Sequence, residues 1–91
     1  MDYEWDDAKS ERTRRDRGLP FELAVLLFDG PIMVRVDDRI DYGEVRLLAV
    51  GDVGGVVLTC VYTEKGDRRR IISLRRASRK ERDAYHSTVP R

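Results

Sequence analysis

Residues 44–74 read "EVRLLAVGDVGGVVLTCVYTEKGDRRRIISL". Three runs rich in β-branched residues, 44–50, 56–63 and 68–74, are separated by "GDVGG" and "EKGD", whose Gly and Asp residues suit tight reversals. Connections this short join antiparallel neighbours. Upstream, "IMVRV" (32–36) is a fourth run of the same kind, followed by the Asp-rich "DDRIDYG" (37–43). The pattern predicts a four-stranded antiparallel sheet, and the segments on either side of it change to helical spacing.

The opening "DYEWDDAKSERTRRDRGLPF" predicts a helix from about Asp6 to Arg17, with acidic residues in its first turn and Gly18 at its end. Only Trp5 and Ala8 look core-directed there. Phe21, Ala24, Val25 and Phe28 then recur at i, i+3, i+4, i+7 after Pro20, the spacing of a buried helical stripe that Leu23, Leu26 and Leu27 widen; "DGP" at 29–31 stops it. Beyond the last strand, Ser78 and Glu81 have the spacing of a capping box, predicting a third helix from about Arg79 to His86. The order helix, helix, four strands, helix implies an α+β fold, one domain over residues 1–91, with helices gathered on one face of the sheet and the other face left open.

Apolar residues make up 41% of the chain and charged residues 38%, a small core for the charge it carries. Apolar surface around the second helix or a sheet edge is therefore expected to be covered by a partner or a second copy. The net charge of +1 is divided unevenly: residues 1–64 hold 8 Lys/Arg against 14 Asp/Glu, residues 65–91 hold 10 against 3. Cys60 alone cannot form an internal disulfide and reads as a small buried hydrophobe. No apolar run approaches the ~20 residues of a membrane span, so a cytoplasmic protein with no membrane association is expected. His86 has no Cys or His at ligand spacing, "VDDRIDYGE" lacks the spacing of a calcium loop, and "GDVGG" lacks the Lys-Ser/Thr of a phosphate-binding loop, so neither metal nor cofactor is expected.

The basic end is concentrated in "GDRRRIISLRRASRKER" (66–82), with seven arginines and one lysine. Guanidinium groups make bidentate forks to phosphate and stay charged at every relevant pH. Ideal alternation puts Arg68, Arg70, Ile72, Leu74 and Arg76 on one face and Arg69, Ile71, Ser73 and Arg75 on the other, with Arg46 adding a cation from the second long strand. The simplest reading is a solvated charged strand; the functional one is a phosphate-binding floor. RNA cleavage with these residue types would run through the ribose 2′-hydroxyl: a base takes its proton, cations stabilise the phosphorane oxygens, and an acid protonates the departing 5′-oxygen, without a metal.

Several segments together resemble the BrnT toxins. "YEWDDAK" is similar to the family's F-E-W-D-x-x-K, "DRGLPF" to H-G-V-x-F, and "FDGP" to F-D-x-P; "GEVRLLAVG", "YTEKGDRRRIISLRR" and "RKERDAY" resemble its G-E-x-R-x-x-x-x-G, Y-T-E-R-x-x-x-x-R-I-I-S-A-R and R-x-E-x-x-x-Y. The resemblance implies a type II toxin-antitoxin toxin: a RelE-like ribonuclease that blocks translation by cleaving RNA. It also implies neutralisation by a BrnA-type ribbon-helix-helix antitoxin, with a toxin homodimer within a heterotetramer as one arrangement. Carried over by position, Trp5, Asp6, Lys9, Arg46, Glu64, Arg70, Ser73, Arg75 and Tyr85 match family motifs. Thr13, Asp16 and Arg17 stand where the family has Asn and Lys-His, and an arginine at position 17 does not shuttle protons. The expected catalytic residues are Arg70 and Arg75 as phosphate clamps, Arg46 as supporting cation and Glu64 as base; the expected RNA-binding residues are Lys9, Arg17, Arg68 and Arg76. The competing reading is a non-catalytic nucleic-acid-binding or protein-interaction module using the same basic surface.

Overall fold

The computed structural model describes residues 1–38 and 43–89. Its elements, in chain order, are β1 (Asp2–Glu4), α1 (Asp7–Arg17), α2 (Glu22–Asp29), β2 (Ile32–Asp37), β3 (Arg46–Val53), β4 (Val56–Lys65), β5 (Arg68–Arg76) and α3 (Arg79–Thr88). Most of the predicted turn "DDRIDYG" falls on residues 39–42, outside the described ones.

The α+β class is as expected, but the sheet has five strands in the order β1-β5-β4-β3-β2, not four. The additional strand is β1, three residues that pair parallel with Arg68–Arg70. Both hairpins turn on two residues. Gly54 and Gly55 have φ of 60° and 90°, the left-handed pair a tight hairpin requires, so β3 continues through Gly51, Asp52 and Val53, where a loop was expected. Gly51 is in the strand for a packing reason: a Cβ there would come within 3.0 Å of the Leu27 side chain, so its absence lets α2 settle on β3.

Helix α1 starts at Asp6, whose side chain accepts from the Lys9 amide at 3.0 Å, and ends at Gly18 with φ 71°. Ala8 is exposed, against expectation. The buried residue of α1 is Ser10, whose hydroxyl accepts from the Phe21 amide at 2.9 Å and donates to Glu22 at 3.3 Å, fastening α1 to the start of α2. Phe21, Ala24 and Leu27 are fully buried against Ala49, Leu58, Cys60, Ile71 and Leu74 on one face of the sheet. Burial pushes the Cys60 thiol up to about 12, as suits a core residue.

The helices do not all share that face. Tyr85 of α3 packs with Val50, Val57 and Ala77, and Val50 and Val57 alternate with Ala49 and Leu58 along their strands. α3 therefore covers part of the opposite face, held by the complete Ser78–Glu81 capping box and by the Tyr85 hydroxyl donating to the Pro31 carbonyl at 2.9 Å. Leu26, Val34, Val36 and Val45 remain among the exposed large apolar residues, on α2, on β2 and just ahead of β3. Among the described residues no helix is long and apolar enough to cross a membrane.

Candidate nucleic-acid interface

The register of β4 against β5 decides which arginines meet. Thr59 pairs with Arg75, Val61 with Ser73, Tyr62 with Ile71 and Thr63 with Arg70, so Ile72 is an extra residue opposite the Val61–Tyr62 step. This is a β-bulge, and past it the alternation inverts. Cross-strand partners share a face, so Arg68, Arg70, Ser73 and Arg75 lie on one side, while Arg69, Ile71, Leu74 and Arg76 lie on the other. Straight alternation had separated Arg70 from Arg75; the bulge puts them on the same face, opposite Thr63 and Thr59 of β4.

The same face collects cations from the neighbouring strands. Arg35 on β2 is paired with Leu48, and Arg46, the partner of Asp37, precedes Leu47 on β3 at the Thr63 end of the ladder. The face thus carries Arg35, Arg46, Arg70 and Arg75, with Arg68 at its rim, over a floor that includes Leu48, Thr59, Val61 and Thr63, all buried. The hydroxyls of Thr59 and Thr63 have no hydrogen-bond partner among the described residues. Arg70 is half exposed and 3.6 Å from Glu4, its parallel partner on β1. Arg35 is 62% exposed, which leaves most of its guanidinium in solvent.

Arg75 is more firmly held. Its Nη1 and Nη2 donate to the two oxygens of Glu81 at 2.7 and 3.0 Å, and Arg35 approaches the same carboxylate at 3.6 Å. Burial alone would raise the Glu81 carboxyl, but Arg75 and the Ser78 amide outweigh it and hold the group at about 2. These residues line a cleft of about 490 Å³ between β2, the end of β5 and α3. Since the pKa is lowered on folding, the stabilisation is complete above the ordinary value of 4.5 and is lost as pH falls toward about 2. We expect chemical denaturation to show a loss of about 3 kcal/mol across that window, and Glu81→Gln to flatten the slope there; an unchanged slope in the variant would place the acid sensitivity elsewhere.

Glu64 lies apart from this face. It pairs with Arg69 across the Gly66–Asp67 turn, its Oε1 accepts from Arg69 Nε at 3.0 Å, and both side chains are on the α2 side of the sheet. Lys9 and Arg17 sit with Arg12 in a groove between α1 and β5, and Arg17 Nη1 donates to the Leu74 carbonyl at 3.0 Å. Arg76 lines a neighbouring cleft with Arg17. Arg35, Glu4 and Arg12 were not singled out from the sequence, and Glu81 was read only as half of a capping box. A lone arginine inside the apolar run "IMVRV" was the available signal for Arg35, because its neighbours at i±1 and its cross-strand partner are apolar.

A model of the family described as "Ribonuclease toxin, BrnT, of type II toxin-antitoxin system" matches residues 5–81. No curated protein matches the chain.

Proposed function

We propose that this chain, which belongs to the BrnT family of ribonuclease toxins of type II toxin-antitoxin systems, cleaves RNA on the arginine face of its sheet without a metal ion. Membership gives the coarse function, a ribonuclease toxin with an RNA substrate and an antitoxin partner. The location and mechanism rest on one observation: the bulge at Ile72 turns Arg70 and Arg75 to the same face, beside Arg35 and Arg46.

On this reading Arg70 and Arg75 hold the non-bridging oxygens of the scissile phosphate, and Arg46 adds charge as the phosphorane forms. The ribose 2′-oxygen gives its proton to the base and attacks phosphorus, the bond to the 5′-oxygen breaks, and that oxygen takes a proton from water, so the products are a 2′,3′-cyclic phosphate and a 5′-hydroxyl. The base expected at Glu64 is reassigned to Glu4, the carboxylate nearest Arg70 on the reacting face. Glu64 faces the other way and is bound to Arg69. The fold is of the RelE-like kind, the activity is inhibition of translation in the cytoplasm, and the partner is a BrnA-type antitoxin that covers the arginines.

The test is incubation of the purified protein with single-stranded RNA in EDTA, followed by analysis of the fragment ends. Cyclic phosphate and 5′-hydroxyl ends are expected. Salt-sensitive binding without cleavage would instead support a non-catalytic RNA-binding module, and 5′-phosphate ends would exclude attack by the 2′-hydroxyl.

A further inference from the structure

We infer that the groove between α1 and the outer half of β5 is a second phosphate subsite, one that grips the single-stranded flank of the RNA whose scissile phosphate lies on the arginine face. This rests on the reading above. β1 covers β5 only at Arg68–Arg70, so among the described residues the strand's edge from Ile71 onward has no strand partner, and α1 stands along it, with Arg17 bonded to the Leu74 carbonyl. Between them is a cavity of about 200 Å³ whose lining includes Lys9, Arg12, Arg17 and Ser73.

The charges in this groove are unbalanced in a way the rest of α1 is not. Arg14, on the same helix, is closed in a two-pronged pair with Glu11. Lys9 and Arg12 have no ion-pair partner among the described residues. Arg17 is fixed by its bond to the Leu74 carbonyl, which uses one of five guanidinium donors. Among the described residues Asp16 is the sole carboxylate in the lining, against three cations. Asp16 and Arg17 also line the adjoining cleft of about 330 Å³, where Arg76 continues the cationic track to the end of β5.

Ser73 joins the two sites. It lines the groove, and its register with Val61 places it on the face of Arg70 and Arg75. A strand leaving the arginine face over the bulge at Ile72 therefore arrives directly at Lys9 and Arg12. The groove, enclosed by one helix and one strand edge, suits a single strand, and its cations read the backbone without regard to base.

The experiment is binding of 2′-O-methyl oligonucleotides, which lack the attacking hydroxyl, in short and long forms of about 4 and about 12 nucleotides. The wild-type protein is expected to bind the long form at least about tenfold tighter. In Lys9→Ala/Arg12→Ala that gain disappears and the salt slope for the long form falls by about 1.4, the share of two phosphate contacts on a single strand. Alanine is a good helix former, so a far-ultraviolet spectrum and melting temperature matching the wild type verify the fold. A length gain that survives in the variant overturns the inference, as does an equal loss for both lengths. Poly-glutamate bound by the wild type and not by the variant, with no length gain for the oligonucleotides, assigns the groove to an acidic protein segment and also overturns it. Because an uncleavable strand is used, an inactive enzyme leaves this test intact, and an active enzyme without the length gain defeats this inference alone.

Discussion

Arg70→Ala is expected to lower RNA cleavage by about 10²–10³-fold at saturating substrate, with the melting temperature changed by no more than about 8 °C. The separation of the two effects follows from how the side chain is held. Arg70 is half exposed and its partner Glu4 is 3.6 Å away and itself 38% exposed, a surface pair of the kind that contributes at most about 1 kcal/mol to folding. On the proposed mechanism the variant loses the guanidinium that would meet the developing negative charge, where each 1.36 kcal/mol of transition-state stabilisation is about tenfold in rate. Arg70→Lys keeps the charge and loses the fork, so an intermediate rate is expected. Arg75→Ala is the poorer probe, because it also leaves the buried Glu81 carboxylate without its main partner and destabilises the fold. Cleavage by folded Arg70→Ala at the wild-type rate would remove this face from the mechanism.

The elements with strong periodicity were legible in the sequence. The i, i+3, i+4, i+7 stripe of α2, the Gly18 stop of α1 and the Ser78–Glu81 box each report a local physical requirement, and each stands close to where it was read. The failures are non-local. β1 has three residues, two of them acidic, and it is a strand only because β5 offers a parallel edge. α3 carries a single buried apolar residue, Tyr85, too little to show from sequence which face of the sheet it would take. The bulge is hidden by "RRRIISLRR": with isoleucine at both 71 and 72, either alternation puts an apolar residue inward, and only the β4 register shows that Ile71 is buried and Ile72 partly exposed. Glu64 is a different case. Once "EKGD" is read as turning on Gly66 and Asp67 alone, Lys65 must face Arg68 and Glu64 must face Arg69, so the ion pair that occupies Glu64 could have been found by counting.

The pair formed by Glu64 leads to the largest expected effect on stability, at Arg69. This side chain is about one-fifth exposed, and its guanidinium carbon lies 4.2 Å from the centre of the Phe28 ring and 5.9 Å from that of Tyr62. It also donates to Glu64 at 3.0 Å and to the Tyr3 hydroxyl at 3.3 Å. One residue therefore ties β1, α2, β4 and β5 together at the end of the sheet where β1 joins. Partly desolvated cation–π contacts contribute up to about 2 kcal/mol and hydrogen bonds to charged groups about 1.5–3. Arg69→Ala is accordingly expected to cost about 3 kcal/mol, which for a chain of this size lowers the melting temperature by roughly 12–24 °C. Arg69→Met, which restores much of the packing against Phe28 and none of the charge, should recover part of that loss. Since Arg69 faces α2 and not the arginine face, protein kept folded at low temperature should still cleave RNA. Arg69→Ala with wild-type stability would show that these contacts do not hold β1 and α2 to the sheet. Lost cleavage at unchanged stability would instead move the reacting face to the other side, because the pleat turns Arg69 and Arg70 to opposite faces of the sheet.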